Sequence, residues 1–219
     1  MLHVVAIDGI SGSGKSSTAR LLAQSLGFRH LDTGAMYRML THVALQKGYH
    51  PEDHKELGRI AQSLDFSFDE NGSLLAEGKP LPLAIRSAEV SGAVSEYCKS
   101  PEVRDVLVAQ QRKLGLQGPC VMEGRDIATV VFPDARWKFF MTARPEVRAE
   151  RRTRELVASG LPANREEILK NLRERDAKDS SRSLSPLKRA ADAVELDTSD
   201  LTLEGQVAIL SDLVRKTSA

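Results

Sequence analysis

Gly9-Ile10-Ser11-Gly12-Ser13-Gly14-Lys15-Ser16 fits the spacing G-x-x-x-x-G-K-[ST], and it lies where that spacing has physical meaning. The run His3–Asp8 is apolar up to its final acid and reads as a buried parallel strand. Over Lys15–Leu26, Ala19, Leu22, Ala23 and Leu26 recur at helical spacing, and Gly27 is a C-cap. A strand, a glycine-rich turn and a helix in that order point backbone N–H groups at an anion, and the helix N-terminus adds partial positive charge. On this reading Gly9, Ile10, Ser11, Gly12, Ser13, Gly14, Lys15, Ser16 and Ser17 hold ATP. Lys15 reaches the β- and γ-phosphates, and the Ser16 hydroxyl is the Mg²⁺ ligand.

The rest of the chain continues as α/β. Phe28–Leu31 reads as a second strand, followed by a helix from Asp32-Thr33-Gly34 to Gln46 and another over Pro51–Leu64. Asp65-Phe66-Ser67-Phe68, the turn pair Asn71-Gly72, Leu74-Leu75-Ala76 and Gly78-Lys79-Pro80 predict a small antiparallel insert. Helices are expected at Ser87–Cys98 and Pro101–Leu116, with Ser100-Pro101 as cap and first position. Cys120–Glu123, Trp137–Thr142 and Ala193–Asp197 read as further core strands. Pro145–Ser159 and Asn164–Ser180 are charged helices, Ser181–Ala190 a basic loop, and Thr202–Lys216 a closing helix. The expected fold is a P-loop NTPase: a five-stranded parallel sheet flanked by helices, with a small antiparallel β insert and a helical lid.

A formal net charge of +1 over 219 residues points to neither nucleic acid nor an anionic membrane as partner. No segment approaches a membrane span and the N-terminus lacks a signal-like pattern, so a cytoplasmic protein is expected. Cys98 and Cys120 read as two buried thiols.

Local charge is more informative. Between Thr142 and Arg182 there are eleven cations, nine of them arginine, against eight acids. Arginine's planar fork suits phosphate, although a solvated helical surface with i,i+4 pairs also accounts for many of them. Arg175, Asp179 and Arg182 stand at i, i+4, i+7, one face if the helix extends that far. Such a face can hold a phosphate and a sugar hydroxyl, or can be an intrahelical ion pair. Glu123-Gly124-Arg125-Asp126 follows a strand, where open α/β sheets bind ligands. Its groups can order Mg²⁺ water, grip a phosphate and read a base, or form a local Arg–Asp pair.

With these residues in hand the chain resembles the bacterial cytidylate kinases, a group of nucleoside monophosphate kinases. The ordered series carries the resemblance: the P-loop, Leu31–Arg38, Glu123–Ala135, and Arg175-Asp176 with Asp179 and Arg182. It implies Mg²⁺-dependent transfer from ATP to CMP or dCMP. Thr33, Arg38, Arg125 and Arg182 would surround the monophosphate, and Ser95, Arg104 and Asp126 the cytosine. Arg175 and Asp179 would face the ribose. Lys15, Arg125 and Arg182 would be catalytic, and Arg151, Arg152 and Arg154 would belong to the lid. A single kinase unit is implied, with core segments 1–34, 119–145 and 183–219, a monophosphate-binding region 35–118 and a lid 146–182. A monomer is expected. Glu123 departs from the aspartate often found before Gly-Arg-Asp, which leaves it as a possible partner of the Mg²⁺ water shell. Ser16 stands where some relatives carry glycine, which favours it as the metal ligand.

Other readings stay open at this point: a kinase for a different acceptor, an ATP-binding regulator that transfers nothing, and a nucleic-acid module built on the arginine-rich helices. A switch GTPase is disfavoured by the absence of N-K-x-D.

Overall fold

The computed structural model describes residues 3–70, 72–158, 160, 162–182 and 184–216. The expected turn residue Asn71, the helix end at Ser159 and the segment bounds at Met1, Ser183 and Ala219 lie outside them.

The chain runs β1 (Val4–Gly9), α1 (Lys15–Leu26), β2 (Arg29–Asp32), α2 (Thr33–Gln46) and α3 (His54–Ser63). A three-stranded antiparallel sheet follows, β3 (Phe66–Phe68), β4 (Leu74–Ala76) and β5 (Lys79–Pro80). A 3₁₀ turn at Leu83–Arg86 leads to α4 (Ala88–Tyr97) and α5 (Pro101–Gly115). Next come β6 (Cys120–Glu123), a π-helical turn at Ile127–Val131, and β7 (Trp137–Thr142). Then α6 (Pro145–Ala158), α7 (Arg165–Ser180), β8 (Val194–Asp197) and α8 (Leu203–Lys216) complete the order.

Five strands make one parallel sheet in the order β2-β6-β1-β7-β8. The period of two along each strand divides the core between its faces. Val4, Ala6, Cys120 and Met122 pack with α2, α3 and α5 residues such as Leu40, Leu57 and Leu107. Val5, Ile7, Val121, Phe139 and Met141 pack with Leu22 of α1 and Leu210 of α8 on the other face. Burial on both faces is why the central strands read as near-continuous apolar runs. Cys98 and Cys120 are buried and unpaired, and burial pushes both thiols up to about 12.

Helices α2, α4 and α7 start at side-chain caps, each contributing about 1 kcal/mol. Asp32 Oδ1 accepts the Ala35 N–H (2.9 Å), Ser87 Oγ that of Val90 (3.2 Å), and Asn164 Oδ1 that of Glu166 (3.0 Å). Helix α3 begins at His54 rather than Pro51, because the Asp53 carboxylate turns back to accept the His50 N–H (2.7 Å). Helix α7 ends at Ser180, so Arg182 lies beyond it, and Arg175, Asp179 and Arg182 do not share a helical face.

Gly9 ends β1 with φ +148°, and a Cβ there would lie 2.1 Å from the Met141 carbonyl oxygen of β7. Backbone cannot retreat within a parallel ladder. Gly9→Ala is therefore expected to cost about 3 kcal/mol or more, read as a lowered midpoint in thermal or urea unfolding.

Candidate active site

The carboxyl ends of three neighbouring strands converge on one crevice: Gly9 of β1, Asp32 of β2 and Glu123 of β6. This is where open parallel sheets bind ligands. Gly12 and Gly14 adopt left-handed φ of 74° and 89° between β1 and α1, which curls the loop. Ser13 Oγ donates to the Ile10 carbonyl (3.0 Å) and Lys15 Nζ to the same oxygen (2.6 Å). The Lys15 ammonium is buried, and burial lowers its pKa well below the ordinary lysine value. Repulsion from Arg125 and Arg175 adds to this; Glu123 and Asp8 oppose it.

Behind the loop, Thr198 Oγ1 donates to the Ser13 carbonyl (2.8 Å), and Thr18 Oγ1 donates to Gln206 Oε1 (2.7 Å). In front, buried Arg148 of α6 donates through Nη1 to the Ser11 carbonyl (3.0 Å) and pairs with Asp176 of α7 (2.5 Å). Asp176 Oδ1 in turn accepts the Ser11 N–H (3.3 Å).

Ser16 Oγ donates to Glu123 Oε2 (2.7 Å), and His30 Nε2 lies 3.1 Å from Glu123 Oε1. Burial opposes the Glu123 charge, but the contacts with His30 and Ser16 hold its carboxyl below the ordinary value. Asp32 goes the other way: burial and the Glu123 charge raise it against the pull of Arg86. Among the described residues no three His, Cys, Asp or Glu side chains converge as a metal cage. A hydroxyl beside one ionised carboxylate suits a hard cation that keeps waters and phosphate oxygens as most of its ligands, as Mg²⁺ does.

The side of the site formed by the β6 turn and α7 is strongly cationic. Arg125 Nε donates to Asp179 Oδ2 (2.9 Å), and Arg182 Nη2 donates to Asp179 Oδ1 (2.5 Å). Burial works against the Asp179 carboxylate, yet these two arginines keep it below the usual range. Arg175 is pushed down to about 10 by burial and then by Arg125 and Arg38. Burial likewise lowers Arg38, whose Nη1 donates to Ser91 Oγ (2.7 Å). The Nε atoms of Arg175 and Arg182 are buried without a hydrogen-bond partner. Thr33 Oγ1 donates to the Glu123 carbonyl (2.7 Å) and would clash with a Cβ on Gly124.

Beside this cluster, Arg104 of α5 pairs with Asp126, both side chains being 8% exposed, and its guanidinium lies 5.6 Å from the Tyr37 ring centroid. Ser95 is buried on α4. Arg125 and Asp126 thus do not pair with each other: Arg125 reaches α7 and Asp126 reaches α5.

Of the three expected lid arginines, Arg151 approaches the P-loop. It donates through Nη1 to Thr198 Oγ1 (3.0 Å) and would lie 3.9 Å from a Cβ on Gly14. Arg152 pairs with Glu155 and Arg154 with Glu150 on the exposed side of α6. The sequence reading missed Arg148 and Asp176 as direct partners of the loop, and it missed Asp8. The Asp8 carboxylate is 1% exposed and accepts the N–H groups of Ile127 and Ala128 (both 2.8 Å). An acid closing an otherwise apolar buried strand was its signal. Burial pushes it up to about 6 against the two amides that favour its charge.

Comparison with known proteins agrees with this arrangement. The sequence profile described as "Cytidylate kinase" matches residues 5–216. A cytidylate kinase of Mycolicibacterium paratuberculosis (strain ATCC BAA-968 / K-10) is 46% identical, with 98% of this chain and 96% of that one aligned. One of Clostridium botulinum (strain Okra / Type B1) is 40% identical, covering 97% of each. A crystal structure of an uncharacterized protein from Eubacterium ventriosum shares the fold, with a TM-score of 0.52 at 12% identity over 99% and 98% of the two chains. This near full-length similarity, in a chain with a P-loop beside a cluster of arginines, establishes that it belongs to the cytidylate kinase family.

Proposed function

We propose that the protein transfers the γ-phosphoryl group of ATP to CMP or dCMP, giving ADP and CDP or dCDP. The observation that carries this reading is a cationic cluster: Arg125, Arg175 and Arg182 act on the Asp179 carboxylate, and Arg38, close to Arg125 and Arg175, adds a fourth guanidinium whose nearest acid is Asp32. That excess of buried positive charge, with two orphaned guanidinium N–H groups, calls for a dianion. A nucleoside monophosphate supplies one and needs no strong general base, because its phosphate oxygen is already a nucleophile.

The oxygen of the acceptor phosphate forms a bond to the γ-phosphorus as the β–γ bridge breaks in line, and ADP departs with the bridging oxygen. Lys15 and the loop amides hold the donor phosphates, and Arg125 and Arg182 hold the acceptor against them. Arg38 and Thr33 complete the phosphate cradle, and Arg175 and Asp179 face the ribose. Asp126 accepts from the exocyclic amine of cytosine, with Ser95 and Arg104 beside it. Ser16 would hold Mg²⁺, with Glu123 orienting its water; when bound, the ion neutralises charge on the transferred group. Arg151, Arg152 and Arg154 belong to the lid, Arg151 being the one next to the loop. Among the described residues no helix is long and apolar enough to cross a membrane.

Initial rates with ATP and CMP, dCMP, UMP or AMP test the reading. CMP and dCMP are expected to exceed UMP and AMP by at least about 100-fold in kcat/KM, because uracil sets a carbonyl oxygen against the Asp126 carboxylate where cytosine offers an amine donor. Equal turnover of CMP and UMP would refute the assignment of the acceptor.

A further inference from the structure

Asp8 stands outside both substrate cradles, yet it ties them together. It precedes the phosphate loop directly, as the penultimate residue of the central strand β1. Its two carboxylate oxygens take the consecutive amides of Ile127 and Ala128, 2.8 Å each, and those amides follow Asp126. The neighbouring Ile7 carbonyl accepts the Gly124 N–H (3.0 Å). One end of β1 therefore grips both sides of the Arg125-Asp126 dipeptide.

The grip also accounts for the π turn. The Asp126 carbonyl accepts from both Val130 N–H (2.8 Å) and Val131 N–H (3.2 Å). Asp126 itself sits at φ −147°, ψ 25°, outside the helical region. Short π turns are uncommon and recur at functional sites. Here the two leading amides of the turn, which have no acceptor within it, are satisfied by a buried carboxylate. The Asp126 side chain remains free to meet Arg104.

We infer that Asp8 is a positioning residue for acceptor selection: it fixes the backbone that carries Arg125 and Asp126 and so sets how well cytosine is told from uracil. This rests on the acceptor reading above and extends it to a residue that touches neither substrate. An amide at position 8 keeps one acceptor but turns an N–H₂ toward the second backbone N–H. Two donors then face each other in a buried space, and the turn shifts.

The test is the ratio of kcat/KM for CMP to that for UMP, which is independent of the fraction of active protein. In Asp8→Asn the ratio is expected to fall about tenfold, with KM for CMP rising more than KM for ATP. A fall of fivefold or more supports the role, and a smaller change overturns it. If Asp8→Asn does not accumulate folded, Asp8→Ser, which keeps one acceptor without the opposing amide, is read by the same criterion. Wild-type protein that does not prefer CMP would overturn the acceptor reading, and this role with it. A wild-type preference that survives in the variant overturns the role alone.

Discussion

Replacing Lys15 by methionine is expected to lower kcat by about 10³-fold or more while leaving the fold at least as stable. The two halves of this expectation have one cause. The Lys15 ammonium is 6% exposed and makes its short hydrogen bond to a single carbonyl, that of Ile10. It is repelled by Arg125 and Arg175, so it is costly to keep charged. Methionine has similar length, removes the buried charge and packs the same space. What would be lost is a cation aimed at the charge that develops on the transferred phosphoryl group and the departing bridging oxygen. Steady-state kinetics with CMP and a thermal melt check both halves. A kcat within tenfold of wild type, or a midpoint lowered by more than about 5 °C, which is over 1 kcal/mol at this size, would contradict the argument.

Asp126→Asn is expected to give the largest change in selectivity. Its carboxylate faces Arg104 with both side chains nearly sealed from water. Asparagine keeps the shape but offers a donor where cytosine's amine needs an acceptor. The kcat/KM for CMP is expected to fall by about 10²- to 10³-fold, while that for UMP, whose carbonyl can accept from the new amide, falls far less or rises. The substitution also leaves Arg104 as a buried cation without its counter-ion. Loss of one partner from such a pair costs about 3 kcal/mol, so urea unfolding should shift toward lower midpoints. Equal losses for CMP and UMP would mean that Asp126 does not read the base.

These two residues also mark how far the sequence can be read. The loop that holds Lys15 was legible because it is built locally, from a strand, a glycine turn and a helix within a few residues. The parallel sheet was legible for a similar reason, since two-sided burial leaves short apolar runs such as Cys120–Met122, ended sharply by Glu123. The partner of Asp126 was not: the adjacent Arg125 was the nearest cation in sequence, yet it reaches Asp179, fifty-four residues away. Pairings between α5, α7 and the β6 turn depend on tertiary packing that no spacing rule encodes. The π turn at Ile127–Val131 was hidden as well, because its cause lies in Asp8, on a different strand. Arg148 looked like one more cation on a charged helix. Tertiary contacts distinguish it from Arg152 and Arg154: its Cβ would sit 3.3 Å from one on Gly12, and its guanidinium is buried on the Ser11 carbonyl and Asp176.

The adjacency of β1 and β6 has a metrical consequence. Both loops proposed to carry the chemistry leave the same sheet from neighbouring parallel strands, with Ile7 in register with Glu123. Parallel strands are held about 4.8 Å apart by their hydrogen bonds. The sheet thus acts as a ruler, and on the proposed assignment the gap between donor cradle and acceptor turn is inherited from the backbone repeat rather than from any side chain. Adaptation to a different acceptor has to be made in the side chains of α4 and α5 that reach over the gap. The length of the gap itself is not available for tuning without dismantling the core.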